Sequence, residues 1–200
     1  LKSWFLEKHP WEALEKHFFA ITSQVERAYS LGFKPEQVFY FDEGVGGRFS
    51  LWSSCGLSIL LNLGSEKYQE LLAGAHAMDQ HFYHTDLEFN IPVCLAWLDY
   101  YYAMFAGAKS RVVIPYTKRL NLFPNYLQQL EMESLGKSTL RDGSTAPHDL
   151  GLAVWGGVGP DGQHAFHQFL YQNNQLNPVD FIVIKKCEVF PDLQKIQLAQ

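Results

Sequence analysis

The sequence predicts an α/β fold built on parallel strands. Short apolar runs of strand length occur at 37–41, 111–115, 150–155 and 179–184. The stretches between them carry apolar residues at helical spacing, and charged or glycine-rich turns separate the two kinds of segment. Strands that alternate with helices pair in parallel, because each crossover helix returns the chain to the same end of the sheet.

Along the chain, Trp11, Leu14, Phe18, Ile21, Val25 and Tyr29 recur at helical spacing. Residues 10–31 therefore read as one amphipathic helix, with Gly32 as its stop. The aromatic run 37–41 reads as a strand that enters a loop at 42–47. Helices are expected over 53–63, from Ser65 as N-cap towards Phe82, and over 91–105, with Pro92 tolerated in the first turn. A buried strand at 111–115, a helix over 119–132, a strand at 150–155, a helix over 163–171 and a strand at 179–184 complete the pattern. The expected division is an α/β part over 1–64, a helical connector over 65–108 and a second α/β unit over 109–200.

A net charge of −5, from 16 Lys+Arg against 21 Asp+Glu, lacks the basic stripe that nucleic acid requires. Cys55, Cys94 and Cys187 are odd in number and lie in apolar stretches, so they are expected as buried, reduced thiols in a cytoplasmic protein. The uncharged run 49–65 carries five serines and an asparagine, which favours a buried helix over a membrane span. The chain opens at Leu1 with neither methionine nor a leader pattern, so it is expected to start inside a longer product.

Three constellations can carry chemistry. In Glu43-Gly44-Val45-Gly46-Gly47-Arg48-Phe49-Ser50 the glycines let backbone N–H groups approach a ligand, with Arg48 as a fixed cation; the alternative is a tight turn with Arg48 in a surface ion pair. Gln128 to Lys137, which holds Glu131 and Glu133, ends a helix at which one carboxylate can project into a cleft with Lys137 behind it. A carboxylate there can abstract a proton if burial lifts its pKa, the alternative being a solvated helix terminus. Gly159 to Gln168 is expected to place His164 in the first turn of a helix, where the dipole favours a neutral imidazole; a locally hydrogen-bonded histidine is the alternative. His167, one turn on, fits the core equally well. His76, His81 and His84 lie near Asp79, Asp86 and Glu88, yet no metal-ligand spacing is present, so no metal is expected.

In this order the three segments resemble the glucose-6-phosphate isomerase (phosphoglucose isomerase) family. Gly74-Ala75-His76-Ala77-Met78-Asp79-Gln80-His81-Phe82, Met132-Glu133-Ser134 and Asp161-Gly162-Gln163-His164-Ala165-Phe166 add to the resemblance, which runs from about Trp4 to Ile184. The resemblance implies parts of two SIS-type (sugar isomerase) parallel-sheet units joined by helices, a homodimer, and no metal or other cofactor. It also implies interconversion of glucose 6-phosphate and fructose 6-phosphate, and so a sugar phosphate substrate. Carried over, Glu133 is the base that moves a proton between C2 and C1 through a cis-enediol(ate). Arg48, beside the Gly47 backbone, stabilises the enediolate; His164 opens the sugar ring from the neighbouring subunit; Gln129 binds substrate.

Two positions depart from the family pattern, Leu135 for an asparagine and Gly157 for a glutamate. The Ser/Thr-rich phosphate-binding segments and the C-terminal signature with its catalytic lysine are absent, and Lys185 and Lys186 do not match that lysine. The chain is accordingly expected to be the middle of a longer enzyme and inactive alone. The alternative is a non-catalytic sugar-phosphate-binding SIS module.

Overall fold

A computed structural model of the chain describes residues 1–148 and 151–184. It divides into two compact units, one comprising Leu1–Gln80 and the other beginning at His81.

In the first unit, β1 (Ala20–Thr22) and β2 (Val38–Tyr40) pair in parallel, Ala20 opposite Val38 and Thr22 opposite Tyr40. The single helix expected over 10–31 does not form. A 3-10 turn at Trp11–Ala13 and one helical turn at Leu14–His17 precede β1, and the Val25–Ser30 helix follows it. The run Phe18-Phe19-Ala20-Ile21-Thr22 is rich in aromatic and β-branched side chains, which favour extended backbone. Pairing with β2 then overrides a helical spacing that carries only a weak local preference. Gly32 does act as the stop: at φ +89° it donates to the Tyr29 carbonyl at 2.9 Å, and Phe33 donates to the Ala28 carbonyl at 3.2 Å. This pair of bonds is a Schellman cap, in which a residue without Cβ takes the left-handed position.

Beyond β2, a 3-10 helix spans Gly47–Trp52, a second 3-10 turn spans Ser54–Gly56, and Leu57–Leu63 is α-helical. Gly64, at φ +82°, turns the chain into the Ser65–His84 helix, so Ser65 is its first helical residue and not the cap. The Ile91–Met104 helix has the expected Pro92 in its first turn. Asn90, 1% exposed, joins the two helices. Its Oδ1 accepts from the Val93 N–H, while its Nδ2 donates to the carbonyls of Phe82 at 2.8 Å and Thr85 at 3.3 Å.

The second unit holds a parallel sheet in the order β4-β3-β5, from Ala153–Gly156, Ser110–Pro115 and Val179–Ile182. Val112, Val113 and Ile114 in the central strand are 0% exposed. A strand covered on both faces must be apolar on both, which is why 112–115 reads as a continuous apolar run. One face carries Val112, Ile114 and Tyr116, packed under Trp155, Phe166 and Leu170. Because β4 and β5 flank β3 on opposite sides, right-handed crossovers place the β3–β4 and β4–β5 helices on opposite faces.

The helix expected over 119–132 is segmented. A 3-10 turn at Lys118–Leu120, an α-helix at Phe123–Leu127, a π-helical turn at Gln128–Met132 and a last α-turn at Glu133–Leu135 follow one another. The helix expected over 163–171 is likewise split, into Gly159–Gly162 and His167–Gln172.

Candidate functional site

The glycine-rich loop is organised by its own side chains. The Asp42 carboxylate accepts from the Gly44 N–H at 2.7 Å, an Asx-turn, and the Gln24 amide donates to Glu43 at 2.6 Å. Ser54 Oγ donates to the Tyr40 carbonyl at 2.6 Å and ties the following turn back to β2. Gly47 and Arg48 open the Gly47–Trp52 3-10 helix, so Arg48 stands on a helical turn and not within the loop. The half-buried Arg48 guanidinium lies 5.0 Å from the Phe49 ring, and the space where a Gly47 Cβ would stand is open for a ligand to approach the backbone.

In the second unit the π-turn presents the base candidate. Gln128 Nε2 donates to the Val154 carbonyl at 2.9 Å, and the Val154 N–H donates to Met132 Sδ at 3.4 Å. Both groups lie on the edge of β4 facing away from β3, so the π-turn covers that edge. Gln128 is thereby spent on the sheet, while Gln129 is exposed. Glu133 is itself exposed, so burial within this chain does not supply the desolvation expected for it. The cleft of about 260 Å³ next to it is lined by Lys109, Leu135, Lys137 and Gly151 among others, but not by Glu133.

Sequence reasoning missed Arg111, which reads as part of a strand. Its side chain is 11% exposed and meets three carboxylates: Glu131 of the π-turn at 2.5 Å, and Asp99 and Asp180 at 3.4 Å each. Burial pushes the Asp99 and Glu131 carboxyls above the ordinary carboxylate range, with the Arg111 charge pulling against it. The available signal was one cation in an otherwise apolar strand, which requires a partner when buried.

His164 departs from expectation. It sits exposed in the turn between the Gly159–Gly162 and His167–Gln172 segments and not in the first turn of a helix. In this turn Gly162 is packed against the Phe166 ring, leaving no room even for a Cβ. His167 belongs to the core side, its ring 5.5 Å from Phe166 and 6.4 Å from Tyr171.

The structure separates Glu133 from His164. Glu131 pairs with Arg111 near the start of β3, and the Leu135 carbonyl lies against Gly151 ahead of β4, so Glu133 is at the N-terminal edge of the sheet. Gly159 packs on Tyr116 just past the end of β3, and Lys118 pairs with Asp161 at 2.5 Å, so the His164 turn is at the C-terminal edge. The six residues of β3 span roughly 20 Å between those edges.

His81 makes two structural bonds, Nδ1 with Thr85 Oγ1 at 3.1 Å and Nε2 accepting from the Ile91 N–H at 3.0 Å. Among the described residues no group of three or more His, Cys, Asp or Glu can hold a metal, and no helix is long and apolar enough to cross a membrane. Cys55 and Cys94 are free, but half-buried where full burial was expected, and each lies near a helix start with solvent on one side. Cys187, Lys185 and Lys186 lie outside the described residues.

Known proteins match throughout this span. The phosphoglucose isomerase family profile matches residues 1–199. Glucose-6-phosphate isomerase of Buchnera aphidicola is 44% identical over 182 residues, and that of Pseudomonas putida 47% identical over 183. These matches cover 90% and 91% of this chain but 33% of each relative, so the chain spans a third of the length of the relatives it matches. The crystal structure of a glucose-6-phosphate isomerase from Chlamydia trachomatis superposes with a TM-score of 0.81 at 30% identity, over 99% of this chain and 39% of that one. A hypothetical protein from Thermus thermophilus shares the fold, with a TM-score of 0.75 at 24% identity, over 99% of this chain and 51% of that one. The expected SIS-type α/β fold with parallel sheets is thereby borne out. The chain belongs to the phosphoglucose isomerase family.

Proposed function

We propose that this chain is the central part of a cytoplasmic, homodimeric glucose-6-phosphate isomerase, with 1–64 ending a first SIS-type unit, 65–108 connecting, and 109–200 beginning a second. Glu133 takes the proton from C2 of the opened sugar and returns it to C1, passing through a cis-enediol(ate). Arg48, with the Gly47 backbone beside it, faces the negative charge that develops on the enediolate oxygens, a preorganised contribution of a few kcal/mol. Gln129 holds substrate hydroxyls, and His164 opens the ring.

The observation that carries this reading is the separation of Glu133 and His164 across the sheet. Groups at opposite edges of one sheet serve a single reaction when a two-fold axis brings His164 of one copy to Glu133 of the other. The exposure of Glu133 supports the same arrangement, since the second copy and the remaining two thirds of a full-length relative would supply the walls that exclude water.

Subunit mixing tests the dimer and the roles together. In the complete isomerase carrying this chain, Glu133→Gln and His164→Gln homodimers are each expected to lose ~100-fold or more in turnover. Co-refolded, they give mixed dimers with one intact site, recovering about a quarter of wild-type activity. No recovery would mean that both residues act within one subunit.

A further inference from the structure

We infer that Arg111 is a positioning residue for the isomerisation: through Glu131 it holds the π-turn in register and so sets the direction in which Glu133 leaves the helix. The inference rests on the reading of Glu133 as the base.

A π-turn closes i→i+5 bonds, holding one residue more than an α-turn, and it persists only where the surroundings retain it. Here three contacts retain it, all to the sheet. Gln128 and Met132 hold the two ends against Val154 of β4, and Glu131 is drawn to Arg111 on β3, which pairs in register with Val154. Glu131 is thus the one charged tether between the turn and the central strand, two residues before Glu133. If that tether is released and the segment relaxes to α-helix, every later side chain rotates by about 100°, one residue's step. A carboxylate that must reach two adjacent carbons of a substrate does not tolerate that displacement.

Arg111 has three carboxylates to one positive charge, and only Glu131 lies on the turn; Asp99 comes from the Ile91–Met104 helix and Asp180 from β5. Removing any one carboxylate leaves the guanidinium with two partners and relieves repulsion among the acids, so folding has no need of Glu131 in particular. A role in folding alone would lower kcat only in step with the melting temperature, even though Glu131, at 2.5 Å, is the nearest of the three acids. A role in positioning singles out Glu131.

The test uses the complete isomerase carrying this chain. Glu131→Gln is expected to lower kcat about tenfold, with KM and melting temperature close to wild type, while Asp99→Asn and Asp180→Asn stay within about twofold of wild-type kcat. The Arg111→Gln/Glu131→Gln double variant should lose no more kcat than the worse single, because both remove the same tether. Normal kcat in Glu131→Gln, an equal loss in Asp180→Asn, or a loss that tracks a fall in melting temperature would each overturn the inference. Glu133→Gln measured alongside separates the two readings. If it is inactive while Glu131→Gln is normal, only the positioning role falls; if it is active, the base assignment falls and the positioning role with it.

Discussion

Replacing Arg111 with glutamine removes the one positive charge from a half-buried group of three acids. The asymmetry of buried ion pairs sets the magnitude: taking away one partner leaves the other charged and desolvated, at a cost of about 3–5 kcal/mol. Here the acids are not fully enclosed, with 34%, 25% and 44% of the Asp99, Glu131 and Asp180 side chains exposed, so solvent screens part of the effect. The lower end, about 3 kcal/mol at neutral pH, is the expected loss. The sign of its pH dependence follows from the folded-state carboxyls. Asp99 and Glu131 are raised by burial, and Arg111 is what pulls them back, so without Arg111 they rise further. A carboxyl raised in the folded state lends stability that is complete below its unfolded value and lost as pH rises through the folded value. The deficit of Arg111→Gln is therefore largest near neutrality and shrinks on acidification towards the ordinary carboxylate range. Urea unfolding of the chain at about pH 7 and about pH 5, followed by circular dichroism, reads both quantities. A loss under about 1 kcal/mol at neutrality, or one that grows as the pH falls, would refute the reasoning.

Other substitutions probe separate parts of the account. Gly156→Ala should leave little folded protein by circular dichroism, since Gly156 has φ +150° and a Cβ there would stand 2.0 Å from the Val113 carbonyl oxygen. Gly157→Glu should fold normally, because a Cβ at Gly157 meets only the Phe166 ring at an ordinary 3.7 Å. Asn90→Ala removes a helix cap and orphans two carbonyls at a buried position, with an expected loss of about 2–3 kcal/mol in urea unfolding. In a coupled assay the isolated 200-residue chain should show no fructose 6-phosphate conversion, since it spans a third of its relatives' length.

The parts legible in the sequence are those in which local pattern and tertiary role agree. β3 reads as a buried strand because both of its faces are covered, and Gly32 and Pro92 mark helix ends through backbone rules that no packing alters. β1 was hidden because helical spacing and β-branched content conflict over 18–22, and only the distant partner Val38–Tyr40 decides between them. The π-turn left no pattern at all. It arises from contacts of Gln128, Glu131 and Met132 with strands that lie elsewhere in the chain. Arg111 was passed over for the same reason, since its three acids are scattered from Asp99 to Asp180. The motifs around Glu133 and His164 were recognisable in the sequence, but their placement at opposite edges of the sheet follows from topology alone.

The claim that Glu133 is the base of an aldose–ketose isomerisation is tested most directly by solvent deuterium entering C2 of glucose 6-phosphate. In the complete isomerase carrying this chain, exchange at C2 is expected with the parent protein and is expected to fall ~100-fold or more in Glu133→Gln, with substrate still bound. Undiminished exchange in Glu133→Gln would contradict the assignment, and binding without exchange in the parent protein would make the chain part of a sugar-phosphate-binding module instead.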